Sequence, residues 1–186
     1  GMRRRGYPPK ALIQFVNTAG ISKRENIIDV SLLEFCVREE LNKTCSRYMA
    51  VVAPVRLTIE NYPDNSTEHL SAINNPEDES MGTRLLPFSK HLYIERDDFK
   101  ESANRKFFRL TIGKEVRLKN AYIIKGERVI KDAKGEITEI ICSYDPKSKS
   151  GSGTEESMRK VKGTIHWVSQ AHAHNANVNN YDRLFT

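Results

Sequence analysis

Apolar residues recur at helical spacing over the first 45 positions and at strand spacing after them. Ala11, Leu12, Phe15 and Val16 form one helical stripe. Pro8 and Pro9 suit its start and Gly20 its stop. Leu33, Val37 and Leu41 recur every four residues and predict a second helix over 29–42, with Cys36 and Glu40 on a neighbouring stripe. Between the two, Ser22-Lys23-Arg24-Glu25 has the S-x-x-E spacing of a capping box.

From Ser46 the period changes to two. The stretch 47–62 is rich in β-formers and broken by Pro54, and 91–96 is a further strand candidate. Residues 63–82 read as loop, and 97–104 as one short helical turn. In 107–119, Phe108, Leu110 and Ile112 fall on one face and Arg109 and Thr111 on the other. After Gly113 the pattern resumes, with Val116 and Leu118 set against Arg117 and Lys119. Two more strands follow, joined by a hairpin turn at 132–135 with Gly135 free to take positive φ. KSKSGSG at 147–153 predicts a flexible loop, 160–169 a last strand, and the tail a polar, weakly structured end. No internal repeat is present. Two helices ahead of eight or so short antiparallel strands predict a mainly β protein: a barrel or sandwich preceded by a helical piece.

With 186 residues, the chain is long enough for a real core. Its charged fraction of 29% and hydrophobic fraction of 38% are ordinary for a globular protein. The net charge of +6 permits a nucleic-acid partner without demanding one. Cys36, Cys45 and Cys142 lack metal-type spacing and read as buried, reduced thiols of a cytoplasmic protein. No apolar run is long enough to span a membrane and no signal peptide is present. Gly1-Met2 reads as a tag remnant followed by an introduced start, and the chain as a piece of something longer.

The distribution of charge changes the picture more than its total. Residues 105–131 hold nine bases and two acids, whereas 60–82 hold six acids and no Lys or Arg. Such segregation favours one side facing a polyanion and another pointing away. Arginines spaced along strands suit a phosphate backbone or base edges, and Phe107, Phe108 and Tyr122 are placed to stack splayed bases. The same residues also fit a solvated basic face with its aromatics in the core. His166, His172 and His174 have the spacing H-x5-H-x-H, but no Cys or acid completes a metal set, and they read as core or surface histidines. No glycine-rich phosphate loop and no nucleophile–base pair stands in a recognisable context, so no catalytic residue is assigned.

The segments RRRGYPPKAL, VREELN, APVRLTIENYP, LYIERDDF, GKEVRLKNAYIIK, KGTIHWVS and YDRLFT, in this order, resemble glutaminyl-tRNA synthetases over essentially the whole chain. The resemblance implies that residues 1–45 are the end of a helical connecting region. Residues 46–186 would be the proximal of two anticodon-binding β-barrels, incomplete without the distal barrel and closing strands. The catalytic domain, with its HIGH-type and Met-Ser-Lys motifs, precedes this stretch in the family, and ISKRE at 21–25 only echoes the latter. The family activates glutamine with ATP and Mg²⁺ and esterifies it to tRNA(Gln). No cofactor and no obligate protein partner is implied for this piece itself.

By the same resemblance Arg117 matches the reader of the first anticodon base, Arg47 one reader of the middle base and Arg109 the reader of the third. Lys23 and Arg24 match a pair at the inner corner of the tRNA, where the second is often glutamine, and Asn42 matches another contact. Lys106 and Phe108 stand where the family has glutamine and lysine near the third base, and Glu77 where it has a tRNA-contacting asparagine. Two alternatives are an archaeal or eukaryotic type of glutamyl-tRNA synthetase and a stand-alone RNA-binding barrel.

Overall fold

The computed structural model describes residues 1–181, so most of the YDRLFT segment lies outside the described residues. Two compact units are present: 1–48 with 73–84, and 49–72 with the chain from 85 onward.

In the first unit, α1 (Pro9–Ala19) begins on a proline, which costs nothing where the N–H has no helical partner, and ends at Gly20 with φ 72°. The helix α2 (Val30–Thr44) is capped by Asp29, whose carboxylate accepts from Ser31 N at 2.7 Å. The capping box read at Ser22 does not start a helix. Ser22 Oγ instead accepts from Arg24 N in a local turn, and residues 20–29 are extended or bent. Ala11, Leu33 and Cys36 are buried. The far end of α2 would leave carbonyls unpaired. The fully buried Asn75 side chain donates to three of them, on Asn42, Lys43 and Cys45, at 3.0–3.2 Å.

The second unit is a curled seven-stranded sheet. Its strands are β1 (Pro54–Ile59), β4 (His91–Glu95), β5 (Glu115–Leu118), β6 (Ile123–Lys131), β7 (Ile137–Tyr144), β8 (Thr164–Ile165) and β9 (Val168–Ser169). The order is β8-β5-β6-β7-β1-β4-β9. Pro54 opens β1 rather than breaking it. A separate two-stranded ladder joins β2 (Thr67–Ile73) to β3 (Thr83–Ser89), so the stretch read as loop contains a strand. Most pairings are antiparallel, as expected, but β1 runs parallel to β7 and β5 parallel to β8.

The last strand expected over 160–169 is divided. Its first half pairs with β5 at one end of the sheet and its second half with β4 at the other. Only His166 and Trp167 separate the halves. A link that short spans about 10 Å, so the sheet must curl until its edges nearly meet. The closure is partial, because each edge gains only a two-residue pairing. Trp167 turns inward from the link, fully buried, and donates from Nε1 to Lys119 O at 2.9 Å. Phe88 packs edge-on against Trp167 at 5.0 Å, and Tyr62, Tyr122 and Tyr144 extend the cluster from Phe88 with ring contacts of 5.1–5.3 Å. Leu57, Ile59, Leu92, Ile94, Leu118 and Ile140 complete the centre of the core.

Candidate nucleic-acid interface

Residues 107–112 do not form the continuous strand their alternation predicts. Their ladder pairing is limited to two isolated bridges, Leu110 with Phe99 and Ile112 with Gly126 of β6. Leu110 and Thr111 are buried, while Phe108 and Arg109 are exposed. Close backbone approach explains the irregularity. Gly163 packs against this stretch so tightly that a Cβ would lie 2.1 Å from Phe108 O, and a Cβ on Gly126 would lie 2.6 Å from Thr111 O.

Arg109 stands half exposed, with 52% of its side chain in solvent, and its Nη1 lies 2.7 Å from Asp98 Oδ1. Asp98 is nearly enclosed, at 7% exposure. Burial pushes its carboxyl above the ordinary carboxylate value, while the Arg109 and His166 charges pull the other way. His166 lies 3.9 Å from the carboxylates of both Glu95 and Asp98. Thus Arg109 is held by an anion beneath it, with about half of its side chain still in solvent.

Arg117, on β5, is engaged differently. Its Nη1 donates to Ser148 O at 3.1 Å and Ser150 Oγ at 3.2 Å, and its Nη2 to Ser157 O at 2.7 Å and Arg159 O at 3.4 Å. The stretch read as a flexible loop is therefore fastened down. A short 3-10 turn covers Pro146–Ser148, and α3 (Glu155–Met158) starts on Thr154. Ser148 is buried, and its Oγ accepts from Ile123 N at 2.7 Å. Arg159 returns to ion-pair with Glu115 and Asp145. The segment 162–165 ties the two arginine-bearing stretches together. Gly163 packs on Phe108, next to Arg109, and its carbonyl accepts from Arg117 N at 2.9 Å.

Arg47 belongs to the helical unit. Its Nη2 reaches Asn42 O at 3.4 Å and Glu77 Oε1 at 3.6 Å, and its Nε is buried without a hydrogen-bond partner. Glu77, where the resemblance implies an asparagine, is thus the counter-ion of one expected base reader. Asn42 contributes its backbone carbonyl to this cluster, accepting from both Arg47 and Asn75. Lys23 and Arg24 are exposed on the extended link between α1 and α2. Lys106 is exposed in a turn whose backbone N–H donates to Asn104 Oδ1 at 3.0 Å.

Three expectations change. Tyr122 is no stacking platform, because it is buried and donates to Glu68 Oε2 at 2.6 Å. The acidic stretch does not simply point away from the basic strands. Glu60 pairs with Arg128 of the basic stretch at 2.7 Å, while Glu68 and Asp64 pair outside it, with Lys149 at 2.5 Å and Lys90 at 2.7 Å. Cys45 is exposed, although Cys36 and Cys142 are buried as read. Among the described residues no group of three metal-type side chains converges, and no helix is long and apolar enough to cross a membrane.

Asp98, Asn75 and Lys162 carry no signal in the linear pattern. Each matters through a partner distant in sequence, and only an inventory of acids within the basic region hints at Asp98.

A partly closed sheet that presents arginines from strands and tightly packed turns fits the binding of single-stranded nucleic acid. The family model of class I tRNA synthetases (E and Q), anti-codon binding domain, matches residues 45–145, and the chain belongs to that family. It is 55% identical over 185 residues to the glutamine–tRNA ligase of Rhodopirellula baltica, and 51% identical over 185 residues to that of Bradyrhizobium diazoefficiens. The Haemophilus influenzae glutamine–tRNA ligase is 51% identical over 186 residues. Each match takes in 100% of this chain but only 30–33% of the relative, so the chain spans about a third of their length.

Proposed function

We propose that this chain reads the anticodon loop of a glutamine tRNA, as the anticodon-binding part of a glutamine–tRNA ligase. The observation that carries the reading is Arg109. It lies inside the family match, half exposed on a tightly packed backbone and oriented by a buried carboxylate. A guanidinium so held offers the planar pair of donors that a guanine edge accepts, which lysine cannot copy. The name carried by the relatives favours glutamine over glutamate.

In this reading residues 1–45 are the end of a connecting region and 46–186 the proximal anticodon barrel. Arg117 reads the first base, Arg47 the middle and Arg109 the third, with Lys23, Arg24, Asn42 and Lys106 as further tRNA contacts. Arg109 is ready as it stands. Arg117 must exchange the loop carbonyls it now holds for a base edge, and Arg47 must yield the Glu77 carboxylate. Activation of glutamine with ATP and Mg²⁺, and its transfer to tRNA in the cytoplasm, belong to the remainder of the ligase. This piece binds and does not catalyse.

The test is the affinity of the chain for glutamine tRNA and for three variants, each changed at one anticodon base, at constant salt. Each change should cost about 1–3 kcal/mol. Arg109→Ala should abolish the difference at the third base only. Equal affinity for all four RNAs would reduce the site to a nonspecific basic face.

A further inference from the structure

Two adjacent aromatic rings on the irregular stretch each carry an ammonium over the face. Lys100 Nζ lies 5.1 Å from the Phe107 ring centroid, and Lys162 Nζ 5.5 Å from that of Phe108. Phe107 is partly buried, whereas Phe108 is 50% exposed. A phenyl ring left half in water gains little from folding. Yet the backbone that presents it is held by close packing and by hydrogen bonds two residues on. Gly163 presses on its carbonyl. Two residues on, Leu110 is fully buried, donates to Asp98 O at 3.0 Å and accepts from Lys100 N at 3.1 Å.

The surroundings select the ligand. Lys106 and Arg109 flank the ring along its own stretch, and Lys160 and Lys162 lie on the segment that packs against it. An apolar protein surface would have to desolvate these cations. An unpaired nucleotide would not, because its base offers a π-face and its phosphate a negative charge. We propose that Phe108 and Lys162 form a subsite for one unpaired RNA nucleotide, the base stacking on the face of the Phe108 ring opposite Lys162 and a backbone phosphate meeting the Lys162 ammonium. The subsite rests on the RNA-binding reading above and adds to the arginines a contact that is indifferent to base identity.

A stacking contact and a phosphate contact respond differently to salt, because only the second releases counterions. The experiment titrates the chain with an anticodon stem-loop RNA bearing a glutamine anticodon, at several salt concentrations. Phe108→Tyr should keep the affinity within about twofold, since the ring is retained. Phe108→Leu and Phe108→Ala should lose roughly five- to hundredfold with an unchanged salt slope. Lys162→Ala should weaken binding and lower the slope by about 0.7–0.9, one phosphate. The Tyr and Leu variants decide the matter even if Phe108→Ala is unstable. Leucine binding as well as phenylalanine, or a slope unmoved by Lys162→Ala, overturns the subsite and leaves the RNA reading standing. No binding by the unsubstituted chain overturns the reading and the subsite together.

Discussion

Arg117 Nη2 donates to the carbonyl of Ser157 over 2.7 Å, joining β5 to a residue 40 positions further along the chain. The same guanidinium holds Ser148 and Ser150, so one side chain fastens both arms of the 148–157 excursion. Lysine, with a single ammonium, cannot span these acceptors. Arg117→Lys should therefore lower stability by about 1–3 kcal/mol, seen as a lower urea midpoint with an unchanged slope. If Arg117 also reads a base, the same variant should lose discrimination at the first anticodon position. An unaltered midpoint would show the clamp to be energetically idle.

Glu68 joins Tyr122 to Lys149. Burial pushes its carboxyl up, but the hydrogen bonds from Lys149 and Tyr122, with the Lys149 charge, outweigh this and hold it below its ordinary 4.5. A depressed folded-state value means a stabilising contribution that is fully present above 4.5 and lost as pH falls through the folded value. The stability gap between the parent chain and Glu68→Gln should hold steady from neutral pH to about pH 5, then narrow under more acid conditions. Denaturant midpoints across that range measure it. A gap that widens in acid would reverse the assigned sign.

Gly163→Ala tests the close approach that seats Phe108 and Arg109. The added Cβ would stand 2.1 Å from a backbone oxygen that no side-chain rotation can move. The cost should be about 1–3 kcal/mol or more, with a lowered Tm. Its RNA affinity should fall by more than that of Gly135→Ala, because Gly135 sits in an open hairpin turn.

Thiol titration separates the cysteines. Cys45 is exposed and Cys36 and Cys142 are buried, so one thiol should react promptly in the native chain and three in denaturant. Burial pushes the Cys142 thiol far above its ordinary value, which keeps it protonated and inert. Rapid native reaction of a second thiol would show that a helix or strand opens locally.

Several elements could be read directly from the sequence because their causes are local. Pro9 and Gly20 bracket α1 through fixed or permitted φ values. Val116 and Leu118 are buried at strand spacing, and the 132–135 turn is closed by Asp132 and Gly135. Where local rules failed, a partner distant in sequence decided. Ser22 met the spacing of a capping box, yet the helix cap lies seven residues later, at Asp29. The serine-rich 147–153 segment has the composition of a linker, but Arg117, Ala121 and Ile123 supply partners that fasten it.

The sequence by itself determined a mainly β protein with a helical start, an excess of cations along particular strands, and the family resemblance. Periodicity, turn residues and charge are properties of neighbouring residues, so they survive without coordinates. Only the tertiary structure decided how those cations are held. Arg109 and Arg117 look equivalent in the linear pattern, each alternating with apolar residues. One rests on a buried aspartate with half its surface in water, and the other has its donors taken up by loop carbonyls. The reason is that an arginine's availability depends on which acceptors the fold brings within about 3 Å, and those acceptors come from residues far away in the chain.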